Sequence, residues 1–320
     1  MAQIPYHNLN NGTKMPSVGL GCWMGSVGGG ERVYNMCSAA LKHGYRLLDT
    51  ANGYGNEEHV GRAIRDSGIP RSEIYLTTKL ANTDHHRVRE AFEASLQALN
   101  VEYIDLYLVH WPQAQLDGAM GDPDGTVPKP GESPTFIDTW KEMEKLLDAG
   151  SVKSIGVSNF SILTLGELLP HCNVIPAVNQ VELHPCLPQF DLKEFCDAKG
   201  ILLEAYSPLG QKSMVLHDDS VIGAIAAKLH ATPAQIVLSW GVQRGTAVVA
   251  KTENEERMVN NITVIRIPDE DMAVIDRFHE RPGMHRSLVW ARDTDEVFGW
   301  KYEWLGWGLA KGGAVSSEHS

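Results

Sequence analysis

Four ionisable residues, Asp49, Tyr54, Lys79 and His110, each stand at or just past the end of a short apolar run. Their types describe one kind of chemistry. A tyrosine is a weak acid, with an unperturbed pKa near ~10. A neighbouring ammonium favours the phenolate, so Lys79 is expected to lower the pKa of Tyr54. Asp49 can pair with Lys79 and aim it, and His110 can donate a hydrogen bond to an incoming carbonyl oxygen. The set amounts to a proton donor beside an electrophilic carbonyl. It holds no activated serine or cysteine, so acyl transfer is not suggested. It is also poor as a metal site, because ligands are too few at any one run and Lys79 would repel a cation. Each residue alone has an ordinary explanation: Asp49 as a turn cap, Lys79 as a solvated strand end, His110 as a core histidine bonded to a carbonyl. Their shared position sets them apart.

A proton donor needs a reductant to complete a carbonyl reduction, and later runs end on groups that could hold one. Ser158, Asn159 and Gln180 carry hydroxyl and amide groups suited to a carboxamide. Tyr206 offers a flat face to an aromatic ring. Lys251, Thr252 and Arg257 lie around the start of the next helix, where a phosphate is favoured.

The elements that must position these residues follow from periodicity. Eight β-rich runs are predicted at 18–23, 46–51, 74–80, 104–110, 152–159, 177–183, 201–207 and 247–251. Helices are predicted near 31–43, 57–66, 86–99, 135–149, 161–170, 189–199 and 220–242, the last broken at Thr232-Pro233. Alternating strands and helices imply parallel pairing through right-handed crossovers. Eight units imply an α/β fold of the (β/α)8 TIM barrel type, whose chemistry collects at the C-terminal strand ends. An open doubly wound sheet is the alternative, but its G-x-G-x-x-G turn is missing after the first run. An N-terminal β-hairpin is predicted around Asn11-Gly12. A Gly/Pro-rich loop is predicted from Trp111 to Pro134, and a long C-terminal loop from Arg281, rich in aromatic residues. Residues 1–309 read as one barrel domain, and the small, polar 310–320 as disordered. Glu57-Glu58 read as the ordinary negative first turn of a helix.

The 320 residues carry a net charge of −12, and no basic stripe is visible to neutralise phosphates, which excludes nucleic acid as a partner. The five cysteines form no C-x-x-C pair and are odd in number, which suits a reducing compartment. No stretch approaches the ~20 apolar residues of a membrane span, and the first residues lack the pattern of a secretory leader. A cytoplasmic protein is expected, monomeric or weakly dimeric, acting on a small molecule.

Longer motifs sharpen this reading: Gly44-Tyr-Arg-Leu-Leu-Asp-Thr-Ala-Asn-Gly-Tyr-Gly-Asn-Glu57, Leu106-Tyr-Leu-Val-His-Trp-Pro112, Ser154-Ile-Gly-Val-Ser-Asn-Phe160, Asn179-Gln-Val-Glu-Leu-His-Pro185 and Ala205-Tyr-Ser-Pro-Leu-Gly210. In combination they resemble the aldo-keto reductases, in particular the aldose and xylose reductase-like branch, from Leu9 to Asp276. The resemblance implies a barrel that binds NADPH across its C-terminal mouth and reduces aldehydes. It matches Asp49, Tyr54, Lys79 and His110 to the family's catalytic tetrad, with Tyr54 as proton donor. It matches Ser158, Asn159 and Gln180 to the carboxamide-binding groups and Tyr206 to the ring-stacking tyrosine. Ser207, Pro208 and Leu209 fit the segment over the pyrophosphate. Lys251, Thr252, Asn254, Arg257 and Asn261 fit the adenosine-phosphate motif.

This sequence departs from the family pattern in that last motif. Val249-Ala-Lys-Thr252 replaces Ile-Pro-Lys-Ser, Asn260 stands where relatives often carry Glu, and Glu253 introduces a carboxylate beside the phosphate position. Glu253 could repel a 2′-phosphate or bond a bare ribose hydroxyl, so NADH is a second cofactor candidate. A substrate pocket is expected from Trp23, Asn52, Trp111, Trp300 and Trp304, with Trp23 also against the cofactor. The expected substrates are aldoses, glyceraldehyde, uronic acids and aryl aldehydes. Two alternatives differ in class: an NADPH-binding regulatory subunit with little turnover, and a barrel hydrolase or isomerase that uses Asp49 and His110 without nicotinamide.

Overall fold

The computed structural model describes residues 4–119, 121–122, 124–211, 213–290 and 292–315. A hairpin comes first. β1 (Tyr6–Asn8) pairs antiparallel with β2 (Lys14–Pro16), and Gly12 in the turn takes φ 84°, a left-handed conformation open to glycine. The hairpin's Leu9 and Met15 pack with Leu47, Tyr75, Leu106 and Ala177, near the starts of barrel strands, and so close the barrel's N-terminal end.

The eight predicted runs all form strands: β3 (Val18–Gly21), β4 (Leu47–Asp49), β5 (Tyr75–Leu80), β6 (Ile104–Val109), β7 (Val152–Ser158), β8 (Val178–Glu182), β9 (Leu202–Tyr206) and β10 (Ala247–Ala250). They pair in parallel, in chain order, and β10 returns to β3 through Val248↔Val18 and Ala250↔Leu20, which closes a barrel. Parallel strands covered on both faces need apolar side chains on both faces. That is why the runs read as nearly continuous β-branched and leucine segments. Most strands end a residue or two before the predicted limit, because the polar exit residues leave the ladder and turn into the mouth.

The helices form where their periodicity and caps predict. Thr135, Ser161 and Thr232 each close a capping box, the last with Pro233 in the first turn. Helices Glu255–Ile262 and Asp269–Asp276 complete the ring. Gly61 lets helix Glu57–Asp66 lie against the next one: a Cβ there would stand 1.8 Å from the Leu99 carbonyl oxygen. Among the described residues, no single helix is long and apolar enough to cross a membrane.

The loop after β6 has neither helix nor strand from Trp111 to Thr135 among its described residues, as predicted. It is held by the C-terminal segment. Trp300 donates its indole N–H to the Pro128 carbonyl at 2.7 Å, and Gln113 donates to the Val297 carbonyl at 2.9 Å. That segment is more regular than the sequence suggests. Glu296–Val297 and Trp300–Lys301 form a small antiparallel pair, and Tyr302–Leu305 form a helical turn. Phe298 and Gly299, at φ 46° and 80°, make the turn between them, as a two-residue hairpin requires. The expectation of disorder is corrected for residues 310–315. Ala314 bridges to Arg286 and Val315 to Leu309, so backbone pairing holds this stretch. Residues 316–320 lie outside the described residues.

Candidate active site

Register across β4, β5 and β6 brings three of the four ionisable residues to one place. Asp49 ends β4, Lys79 is the penultimate residue of β5, and His110 follows β6. Tyr54 arrives on the short 3-10 turn Asn52–Tyr54 that follows β4. Lys79 has no exposed surface, and its Nζ donates to Asp49 Oδ1 at 2.8 Å, Asp49 Oδ2 at 2.9 Å and the Thr50 carbonyl at 2.9 Å. Those three acceptors match the three N–H groups of an ammonium. Burial disfavours the charge, but Asp49 and other acidic groups outweigh it, and the Lys79 pKa lies above its ordinary value.

The ammonium sits 5.1 Å from the centre of the Tyr54 ring. Its effect on Tyr54 differs from the sequence expectation. Burial raises the Tyr54 pKa more than Lys79 lowers it, so the phenol lies above its ordinary value rather than below. The charge of Lys79 is largely matched by Asp49, which leaves less of it to offset the lost hydration of a phenolate. The phenol is thereby kept protonated. His110 is held neutral: burial, then the nearby Lys79 charge, pushes its pKa well below the usual range. Its ring meets Tyr54 edge-on at 5.6 Å, and its Nδ1 is buried with no partner among the described residues. Trp23 lies 5.0 Å from Tyr54 on another side, and Asn52 is half-buried beside it.

The carboxamide candidates are also adjacent, and they bond one another. Ser158 donates to the Gln180 carbonyl at 2.8 Å, Asn159 donates to the His110 carbonyl at 3.0 Å, and the Tyr206 hydroxyl donates to Asn159 Oδ1 at 2.9 Å. Gln180 turns inward. Its Nε2 donates to Asp49 Oδ2 at 2.7 Å and to Glu204 Oε2 at 2.6 Å. Both amide protons are therefore spent on carboxyl groups, which leaves the amide oxygen as the group it can present elsewhere.

Glu204 is a residue that sequence reasoning missed. It is fully buried inside the barrel, and its pKa is pushed up to about 8, first by burial and then by Asp49. The signal was available: a carboxylate interrupts the apolar run Leu202-Leu203-Glu204-Ala205. Glu57 does more than open its helix. Glu58 is exposed, but Glu57 is buried and accepts from Thr78 Oγ1 at 2.6 Å and Ser95 Oγ at 3.2 Å, which ties its helix to β5.

The aromatic wall also departs from expectation. Trp111 packs against Trp290 at 5.2 Å, Phe298 at 5.0 Å and Trp307 at 5.8 Å between ring centres. Trp300 is instead buried beneath the loop after β6, and Trp304 is half-buried with Lys301 over its ring. Neither stands among the rings packed on Trp111. Trp290 also donates its indole N–H to the Tyr206 hydroxyl at 3.0 Å. The segment carrying these rings hangs from Glu182 at the end of β8. That carboxylate accepts from Ser287 Oγ at 2.6 Å, Leu288 N at 2.7 Å and Val289 N at 3.1 Å, and bonds His184 Nε2 at 2.8 Å.

The phosphate candidates form a rim after β10. Thr252 is buried and accepts from Asn254 N, and Asn254 caps helix Glu255–Ile262 through Arg257 N. The Arg257 side chain is exposed, Asn260 half-buried and Asn261 buried. Glu253 is not free. It accepts from Lys251 Nζ at 2.5 Å and from Arg32, and these cations hold its pKa down to about 2, Arg32 having the larger effect. Ser207 and Leu209 are half-buried and Pro208 buried between this rim and Tyr206.

A profile of the Aldo/keto reductase family matches residues 17–280. The chain belongs to the aldo/keto reductase family. Among curated relatives of this aldo-keto reductase, an aldehyde reductase of Saccharomyces cerevisiae is 43% identical and aligns over 88% of this chain and 92% of its own. A glycerol 2-dehydrogenase (NADP(+)) of the same yeast is 42% identical over 91% and 96%. A D-galacturonate reductase of Hypocrea jecorina is 40% identical over 84% and 89%. Among solved structures, an aldo-keto reductase in complex with NADPH superposes with a TM-score of 0.79 at 31% identity, covering 87% of this chain and 88% of its own.

Proposed function

We propose that this aldo-keto reductase uses NADPH to reduce aldehydes to alcohols at Tyr54. The observation that carries this reading is the quartet itself: Asp49, Lys79 and His110 are buried around a half-buried Tyr54, with Lys79 donating to Asp49 at 2.8 Å and its ammonium 5.1 Å from the centre of the Tyr54 ring. The residues present fit the cofactor. Lys251, Thr252 and Arg257 offer cationic and hydroxyl donors at the rim, and at the inner end Gln180 has its amide protons engaged and its amide oxygen left to accept. Ser158, Asn159 and Gln180 would hold the carboxamide, Tyr206 would face the ring, and Ser207, Pro208 and Leu209 would cover the pyrophosphate. When bound, the nicotinamide supplies a hydride to the carbonyl carbon.

The chain's own residues supply the rest. His110, uncharged, donates a hydrogen bond that orients the carbonyl oxygen. Tyr54 gives that oxygen its proton, and the Lys79 ammonium stabilises the phenolate left behind. Asp49 keeps Lys79 charged and in place. The wall of Trp111, Trp290, Phe298 and Trp307 suits small aldehydes with an apolar face. Polyol, sugar-acid and aldehyde relatives support glyceraldehyde, aldoses, uronic acids and aryl aldehydes as the range.

Two measurements test this. Mixing with NADPH should quench tryptophan fluorescence, and absence of quenching would remove the cofactor reading. Tyr54→Phe should lower kcat by about 10³-fold with any accepted aldehyde, with NADPH affinity unchanged within about twofold. Substantial turnover by the variant would overturn the role given to Tyr54.

A further inference from the structure

A carboxylate at Glu253 conflicts with a phosphorylated ribose beside Lys251, since like charges repel at close range. The structure supplies a counter-charge that the local sequence does not. Arg32 stands near the start of helix Glu31–Lys42, 221 residues from Glu253, and reaches it because β10 pairs with β3 to close the barrel. Its guanidinium meets the carboxylate as a fork: Nε donates to Oε2 at 3.1 Å and Nη2 to Oε1 at 2.8 Å. Lys251 Nζ donates to the same Oε1. The trio therefore contains two cations and one anion. Arg32 keeps further N–H groups beyond the two given to Glu253. Its side chain is 64% exposed, so those groups face solvent at the rim.

We infer that Arg32 is a cofactor-selectivity residue of this chain: it neutralises Glu253 and offers its remaining N–H groups to the 2′-phosphate. The carboxylate is thereby tolerated next to a phosphorylated ribose. With both oxygens of Glu253 engaged, the carboxylate is also kept from the ribose hydroxyls it would otherwise accept from. Without Arg32 the same carboxylate repels phosphate and is released toward a bare ribose. The inference rests on the NADPH reading above.

The test is calorimetric titration of the full chain with 2′,5′-ADP and with 5′-AMP, which differ by the 2′-phosphate alone. Wild-type protein should prefer 2′,5′-ADP; no preference would overturn the NADPH reading itself, before any variant is made. Given that preference, Arg32→Ala should weaken 2′,5′-ADP about tenfold and leave 5′-AMP within about twofold. Arg32→Lys should recover part of the loss, as a charge without the fork. Glu253→Gln should tighten 2′,5′-ADP about threefold and should recover most of the affinity lost in the Arg32→Ala background. An unchanged ratio of the two affinities in Arg32→Ala would overturn the inference and leave the NADPH reading standing. An equal loss of both, with a lowered Tm, would mark Arg32–Glu253 as a bridge between helix and loop and would overturn it too.

Discussion

Two lysine–carboxylate pairs stand at strand exits of the same barrel, one among β4 and β5 and one after β10. Lys79–Asp49 has side chains 0% and 4% exposed, whereas Lys251–Glu253 has 34% and 35%. The residue chemistry is alike and the solvent is not. In the barrel every N–H of Lys79 has a fixed acceptor, so its charge is a permanent field on Tyr54 and His110 in a low dielectric. At the rim, water and salt screen the pair, and the same kind of contact can exchange partners with an arriving anion. Burial thus separates a charge built to act in place from a charge built to be handed over.

The sharpest way to break this contrast is Lys79→Met. It leaves Asp49 buried without its cation and should cost about 3–5 kcal/mol of stability, read by urea unfolding, along with at least about 10³-fold in turnover. Adding Asp49→Leu should recover most of the stability and none of the activity. Recovery of activity as well would show that the charge was never needed.

The next effect is one of pH. Glu204 has a folded pKa of about 8 against an ordinary 4.5. Its contribution to stability is fully present below the unfolded value and is lost as pH rises through about 8, because only the unfolded chain ionises readily in between. The Glu204 contribution should fall by on the order of a few kcal/mol from pH 5 to pH 8, read as the difference in pH slope between wild type and Glu204→Gln, since buried neutral histidines such as His110 act in the opposite direction and are common to both. An unchanged slope in the variant would place the titration elsewhere. Smaller still, Trp290→Phe removes one hydrogen bond to Tyr206, a loss of about 1 kcal/mol. KM for aryl aldehydes should rise about fivefold, with kcat nearly constant; a fall in kcat alone would move Trp290 from wall to chemistry. The mildest expectation concerns salt. Raising NaCl from about 0.05 to 0.5 M should weaken NADPH binding about threefold and leave kcat at saturation unchanged.

The strands and the quartet at their exits were legible because both are written locally. An apolar run followed by a polar residue places a strand and its end together, and a parallel barrel gathers all such ends at one mouth. The contacts across the barrel were not legible. Gln180 meets Glu204 as its register partner on the neighbouring strand but reaches Asp49 only across the barrel interior, and Arg32 meets Glu253 only through barrel closure. The direction of the Tyr54 pKa depended on how deeply the ring is buried, a quantity that spacing does not carry. The tail aromatics failed for a related reason. Trp300 and Trp307 share one short segment, yet the first supports a loop and the second packs on Trp111, and only the turn at Phe298-Gly299 and the helical turn after it decide which.

Glu182 holds the pocket wall largely by gripping backbone, through Leu288 N and Val289 N, together with one serine hydroxyl. The rings proposed to face the carbonyl compound are side chains further along. A clasp on the main chain is indifferent to those side chains, so Phe298 or Trp307 can be exchanged while the segment keeps its seat. The wall behaves as an interchangeable cassette mounted on an unchanging reactor, and descendants of this chain could take up new aldehydes without rebuilding the chemistry at Tyr54.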